Sequence, residues 1–201
     1  MPDDFLAALV AGLKATTPVE AIAVLLGLAY VLLVARRSRW GWVAGGLSSA
    51  LFAWLFFGAR LPMQGLLQIY YVLMSVYGFI RWTRGGDDRP VERRPLHFHL
   101  LGIGASLAVA LPIAHLLATE TQAASPYLDA VTTIVSLFAT WLIARMVLEN
   151  WLYWIVVDCL QAVLFASQGL WFTALLFVAY LAIGTSGYLA WLRTWRRQAT
   201  S

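Results

Sequence analysis

Asn150, Trp151, Trp154, Asp158 and Gln161 interrupt an otherwise apolar run, and spacings of three, four and three put the last four on one face of a helix. Asp158 is the decisive residue, because an ionisable group deep in an apolar span is costly and normally faces the interior of a bundle or a water-filled cavity. Trp151, at the entry to the run, also fits an interfacial aromatic belt. Trp154 sits a turn deeper, where a binding role fits better. A second polar stripe, Gln64, Gln68, Tyr71 and Ser75, recurs at four, three and four. Its members suit either a solute site or hydrogen bonds between helices. Thr140, Trp141 and Tyr180, with Thr132, Thr133 and Thr185, would complete a cavity or simply pack, whereas Trp42, Gly45, Gly46 and Ser49 read as a close-packing face. Indoles and phenols attract cations and stack on rings, and amides pair with a carboxamide. Such a cavity suits a small, flat, aromatic, cationic solute bearing hydroxyl groups, with Asp158 offsetting its charge or accepting its hydroxyl hydrogen bonds.

Other chemistry lacks its parts. His97 and His99 lie two apart and point to different faces, with no Cys or carboxylate cluster beside them, so a metal site is not expected. His115 reads as structural. The single cysteine, Cys159, excludes a disulfide framework and a CxxC site. There is no phosphate loop, GxSxG elbow or HExxH helix, so ATP-driven transport and hydrolysis are not expected, nor is a cofactor. Two further classes stay open: a non-transporting scaffold, and an intramembrane enzyme using Asp158. For the latter, Glu149 is nine residues away, roughly 13 Å along a helix axis, too far for a paired acid and base.

The elements that must hold these residues follow from composition. The 201 residues are 61% hydrophobic and 12% charged, with mean hydropathy +0.75; a soluble domain carries about twice that charge. At about 20 residues per crossing of a bilayer core, the chain holds seven spans and little else. The expected spans run from Pro18 to Ala35, Trp42 to Phe57, Met63 to Trp82, Leu96 to Leu117, Tyr127 to Val147, Trp151 to Ser167 and Leu170 to Trp191. Residues 1–16 form a short amphipathic segment, with Asp3 and Asp4 where a cleaved signal would be positive. Thr17, Pro18 and Glu20 carry the signature of a capped helix start. Residues 83–95 are a polar loop, and residues 192–201 a basic tail.

With seven spans, Arg36, Arg37, Arg39, Arg81, Arg84, Arg89, Arg93, Arg94, Arg145, Arg193, Arg196 and Arg197 fall on one side, and only Lys14 and Arg60 on the other. The positive side is cytoplasmic, which places the N-terminus outside and the C-terminus in the cytoplasm of a multi-pass protein of a bacterial inner membrane. The net charge of +4 is scattered between apolar runs and forms no nucleic-acid patch; the lipid bilayer is the expected surroundings.

An internal repeat organises the spans. Displaced by 109 residues, positions 17–82 match positions 126–191 at sixteen of 66 places without a gap, among them Arg36 with Arg145, Trp42 with Trp151, Tyr71 with Tyr180, Gly78 with Gly187 and Trp82 with Trp191. The expected fold is therefore an all-α integral membrane protein in a 3+1+3 arrangement: residues 17–82 and 127–191 as duplicated three-helix halves, joined by the linker helix 96–117. An odd linker makes the halves parallel, the arrangement of SWEET carriers, with a solute site at the repeat interface near the midplane.

Leu67-Gln-Ile-Tyr-Tyr71, Tyr77-Gly-Phe-Ile-Arg-Trp82, Ala139-Thr-Trp-Leu-Ile-Ala-Arg145 and the run Glu149-Asn-Trp-Leu-Tyr-Trp-Ile-Val-Val-Asp158 resemble the Pnu family of vitamin transporters. The resemblance extends from Val19 to Trp191. It implies a SWEET-like core assembled as a homotrimer, one pathway per protomer. It also implies uptake of nicotinamide riboside by facilitated diffusion, with a separate cytoplasmic kinase trapping the product for NAD synthesis. Members also carry thiamine or riboflavin, and the cavity chemistry does not separate these vitamins. Carried over by position, the motif residues are Asn150, Trp151, Trp154, Asp158, Gln68 and Tyr71. The chain departs from members that have a full extra helix before the core.

Overall fold

The computed structural model describes residues 10, 12, 16–60, 62–86, 89–120 and 125–200. Residues 1–16, expected to be amphipathic, fall almost wholly outside these. The helices are α1 (Pro18–Ala35), α2 (Trp40–Gly58), α3 (Pro62–Arg84), α4 (Leu96–Glu120), α5 (Pro126–Ala144), α6 (Asn150–Ser167) and α7 (Trp171–Gln198). Among the described residues, six are long and apolar enough to cross a membrane. The exception by composition is α3, whose glutamines, tyrosines and terminal arginines lower its hydropathy.

Local chemistry sets the boundaries. Thr17 Oγ1 accepts the Glu20 amide at 3.2 Å and Pro18 occupies the first turn, so α1 starts where its cap is expected. The span expected to reach Val147 stops instead at Ala144. Arg145 closes the helix, Met146 turns into the left-handed region (φ 58°), and the apolar Met146, Val147 and Leu148 are buried in a turn. That turn pairs with the loop before α4: Glu92 N donates to Met146 O at 2.9 Å and Leu148 N to Glu92 O at 2.8 Å. Hydropathy could not separate this buried turn from a helix, because both are apolar. At the other end, α7 continues through Arg193, Arg196 and Arg197 to Gln198, so most of the residues expected as a basic tail are helical.

Within residues 17–82, α1 packs on α2 and α2 on α3; within 126–191, α5 packs on α6 and α6 on α7. Between the two sets, α1 packs on α7 and α3 on α5, while α4 lies along α5. Geometry recurs at the same 109-residue displacement. Arg37 (φ 59°) and Met146 (φ 58°) are left-handed, as are Arg60 (φ 59°) and Gly169 (φ 74°). Trp42 meets Trp82 edge to face at 5.5 Å, and Trp151 meets Trp191 likewise at 5.5 Å. A Cβ on Gly187 would come within 2.6 Å of the Trp151 ring, and one on Gly78 would overlap the Trp42 ring; only glycine admits either indole. The four tryptophans are almost completely buried, at 0–2% exposure. Each removes on the order of 200 Å² from solvent, which makes them the main apolar mass of the core.

Candidate functional site

A cavity of about 360 Å³ lies among α1, α2, α3, α5, α6 and α7; α4 contributes nothing to its wall. This is within the span of roughly 300–1,000 Å³ typical of small-molecule sites. Asp158 stands at the midpoint of α6 and is 5% exposed. Among the described residues none donates a hydrogen bond to it, an arrangement that calls for a cation or a donor from a bound solute. Trp151 and Trp154 share its face of α6, as the spacing required. From α3 come Gln68, Tyr71 and Ser75, from α5 Thr140, and from α7 Phe177 and Tyr180.

Some of the lining hydroxyls are engaged. Thr140 donates to Ser136 O at 2.8 Å, and Ser48 to Ala23 O at 2.7 Å. The indoles are not. Nε1 of Trp42, Trp151 and Trp154 is buried with no hydrogen-bond partner among the described residues. Three unpartnered indole donors and one carboxylate thus stand in an aromatic-walled space that also holds the Gln68 amide and several hydroxyls. No Lys or Arg is among its lining residues.

Seven of the ten expected site residues line this cavity: Gln68, Tyr71, Thr140, Trp151, Trp154, Asp158 and Tyr180. Three do not. Asn150 is completely buried, its Nδ2 donating to Val147 O at 2.6 Å, so it closes the turn into α6. Trp141 stacks on Phe138 at 6.0 Å and carries the Arg145 guanidinium 4.8 Å above its ring, on the side of α5 that faces α4. Gln64 is exposed in the first turn of α3. Conversely, Trp42, Gly45 and Ser49, read as packing, line the cavity, and Tyr30, Phe52 and Phe177 were not anticipated. The repeat held the signal for Trp42, the counterpart of Trp151. An aromatic in a wholly apolar helix gives none.

Below the cavity, toward the arginine-rich end, a plug of buried side chains closes the bundle: Val34, Met74, Trp82, Val91, Ile143, Met146, Leu148 and Trp191. Trp82 Nε1 donates to Ala144 O at 3.2 Å, and Trp191 Nε1 to Ala35 O at 3.1 Å. The plug therefore ties the last helix of each three-helix set to the first helix of the other.

A bundle of bilayer-length helices closed at one end around a solute-sized midplane cavity is the construction of a membrane transporter. The chain belongs to the Nicotinamide mononucleotide transporter family, whose model matches residues 17–193. It is similar to the nicotinamide riboside transporter PnuC of Escherichia coli K12, at 21% identity over 210 residues, covering 90% of this chain and 88% of the relative. It is also similar to the riboflavin/roseoflavin transporter RibM of Streptomyces davaonensis, at 29% identity over 184 residues, covering 87% and 84%. The crystal structure of the vitamin B3 transporter PnuC has the same fold, with a TM-score of 0.73 at 24% identity, covering 96% of this chain and 89% of that one. Membership of a transporter family sets aside the scaffold and intramembrane-enzyme readings.

Proposed function

We propose that this transporter carries nicotinamide riboside, bound in the cavity around Asp158, by facilitated diffusion. The observation that carries the reading is the cavity's chemistry: aromatic walls, three unpartnered indole N–H groups, one buried carboxylate and no basic side chain. The nicotinamide ring of the riboside is a cation that an indole face and a carboxylate both attract. Its carboxamide oxygen and ribose hydroxyls can accept from the indoles. A mononucleotide adds a phosphate of roughly −1.5 to −2 charge, for which the lining offers repulsion and no partner. Trp151, Trp154, Asp158, Gln68, Tyr71, Thr140 and Tyr180 are the assigned binding residues.

Riboflavin is the second reading, favoured by the likeness to RibM. It is neutral, and would leave Asp158 without a counter-charge. Thiamine, a flat cation, fits the charge equally well. Calorimetry on the full chain in detergent decides among them, with nicotinamide riboside, nicotinamide mononucleotide, riboflavin and thiamine as ligands and Trp154→Ala in parallel. Binding of the riboside alone, lost in the variant, supports the proposal. Preference for riboflavin or thiamine replaces the substrate, and tighter binding of the mononucleotide overturns the charge argument.

The transport cycle is alternating access. The two three-helix sets, 17–82 and 127–191, act as duplicated halves in a 3+1+3 arrangement; the matched turns, tryptophan pairs and reciprocal indole hydrogen bonds support this. Rocking the halves opens the tryptophan plug toward the arginine-rich side, which the positive-inside rule makes cytoplasmic in a bacterial inner membrane, with the N-terminus outside. The sequence carries no phosphate loop to couple ATP, so solute in sealed vesicles rises only to equilibrium; proton-driven accumulation overturns this. A separate cytoplasmic kinase then traps the riboside. On the family resemblance, protomers assemble as a homotrimer, each with its own pathway.

A further inference from the structure

A second cavity, of about 500 Å³, opens on the other side of the plug, at the arginine-rich end. Arg81 and Arg84 at the end of α3, Arg89 in the loop and Arg145 at the end of α5 line it. Among the described residues its one carboxylate is Glu92, already ion-paired with Arg94 at 2.5 Å. Two of the guanidiniums are held in place by indoles. Arg89 lies 4.9 Å from the Trp82 ring centroid and Arg145 lies 4.8 Å from that of Trp141. The Arg145 Nε is buried with no hydrogen-bond partner among the described residues, and neither Arg81, Arg84 nor Arg145 meets a described carboxylate within ion-pair distance. The guanidiniums of Arg81, Arg84 and Arg145, which line one pocket with no described carboxylate in ion-pair range, form a site for a phosphate oxyanion.

The shape of the cavity separates two sources of phosphate. Its wall continues from Arg81 and Arg84 onto Ile80 and Tyr77, and the same face of α3 runs on through Val76 and Leu73. These four are 37–63% exposed and recur at helical spacing, so an apolar track descends the bilayer-facing side of α3 from the arginines. A soluble phosphate has no use for such a track, whereas a phospholipid does.

We propose that this pocket binds the headgroup phosphate of an anionic phospholipid, with an acyl chain lying along Leu73, Val76, Tyr77 and Ile80. Basic pockets between helix ends on the cytoplasmic side of membrane proteins bind anionic headgroups in this manner. The lipid would brace the end of α3 against the α5–α6 turn, beside the plug and outside the solute cavity.

The test is native mass spectrometry of the full chain released from detergent, with phosphatidylglycerol or phosphatidylcholine of identical acyl chains, comparing wild type with Arg81→Gln/Arg84→Gln. Both arginines are exposed, so the variant should fold, and its unfolding temperature without added lipid checks that. The wild type is expected to retain phosphatidylglycerol over phosphatidylcholine by roughly ten-fold, and the variant to lose that preference. Equal retention of the two lipids, or undiminished preference in a folded variant, overturns the proposal. Displacement of phosphatidylglycerol by millimolar inorganic phosphate also overturns it, making this a small-anion site. None of these outcomes depends on which vitamin the other cavity takes.

Discussion

Trp82 and Trp191 face each other with ring centroids 6.2 Å apart, and each donates its indole hydrogen to the first helix of the opposite three-helix set. The acceptors, Ala144 and Ala35, are themselves 109 residues apart, as the donors are. The joint is reciprocal.

Replacing either indole by phenyl keeps most of the apolar area and deletes one donor. Trp82→Phe and Trp191→Phe should each cost about 1 kcal/mol for the lost hydrogen bond, plus a share for the smaller ring. Because the rings touch, the double variant should depart from additivity by about 0.5 kcal/mol or more, read from thermal unfolding of the four proteins in the cycle. Strict additivity would mean that the two indoles do not work as one joint.

Gly187→Ala forces a methyl against the Trp151 ring, and Gly78→Ala does the same at Trp42. Each should destabilise by about 1–3 kcal/mol, as overpacked cores do. Gly104 in α4 has nothing within 4 Å of its would-be Cβ, so Gly104→Ala should be neutral or stabilise slightly. Equal unfolding temperatures for all three would contradict the packing described.

Asp158→Asn keeps the size of the side chain but removes its charge and turns one acceptor oxygen into a donor amide. It should weaken a cationic ligand by about ten-fold or more and leave a neutral one nearly unaffected, measured by calorimetry. Removing a buried acid that no described residue satisfies should also raise the unfolding temperature. A loss of riboside and riboflavin binding alike would assign Asp158 to the shape of the cavity instead.

Trp154→Phe separates the indole face from its N–H. If the ring stacks and the hydrogen donates, phenylalanine should retain part of the affinity that alanine loses, with a gap of roughly 1 kcal/mol between the two variants. Identical loss in both would place all of the contribution in the hydrogen bond.

Glu149, 9% exposed in its side chain, accepts from Arg93 Nε at 2.8 Å and from the Arg94 backbone amide at 3.3 Å. That carboxylate holds the Arg93 guanidinium more firmly protonated than usual. Glu149→Gln should cost about 1.5–3 kcal/mol, for hydrogen bonds to a charged group, whereas Arg93→Gln should cost less, since Arg93 is half exposed and Glu149 keeps its other partner. Unfolding temperatures of the two variants check the order.

What the sequence revealed, and what it hid, follows from contrast. Asp158, Trp154, Gln68 and Tyr71 stood out because polar groups are rare in an apolar helix, and the helical period then placed them on one face. Tyr30, Phe52 and Phe177 line the same cavity but sit among residues as apolar as themselves, so periodicity cannot tell their inward face from their lipid face. Asn150 and Trp141 had the right chemistry at the wrong height. Both lie beside the α5–α6 turn, whose apolar Val147 and Leu148 look like more helix. The 109-residue spacing of matched residues was readable in the sequence, but the crossing of the contacts, from Trp82 to Ala144 and from Trp191 to Ala35, exists only in three dimensions.

The loop before α4 is pinned to the turn after α5 by the two backbone hydrogen bonds of Glu92, by Arg93 on Glu149 and, a turn into α4, by His99 Nδ1 against the Tyr153 hydroxyl at 3.0 Å. Since α4 otherwise packs along α5 alone, it groups with α5, α6 and α7. In the proposed alternating-access cycle the two rocking bodies are therefore unequal, three helices against four. A spin-label ruler from α4 to α6 should stay constant through the cycle, while one from α2 to α6 changes length.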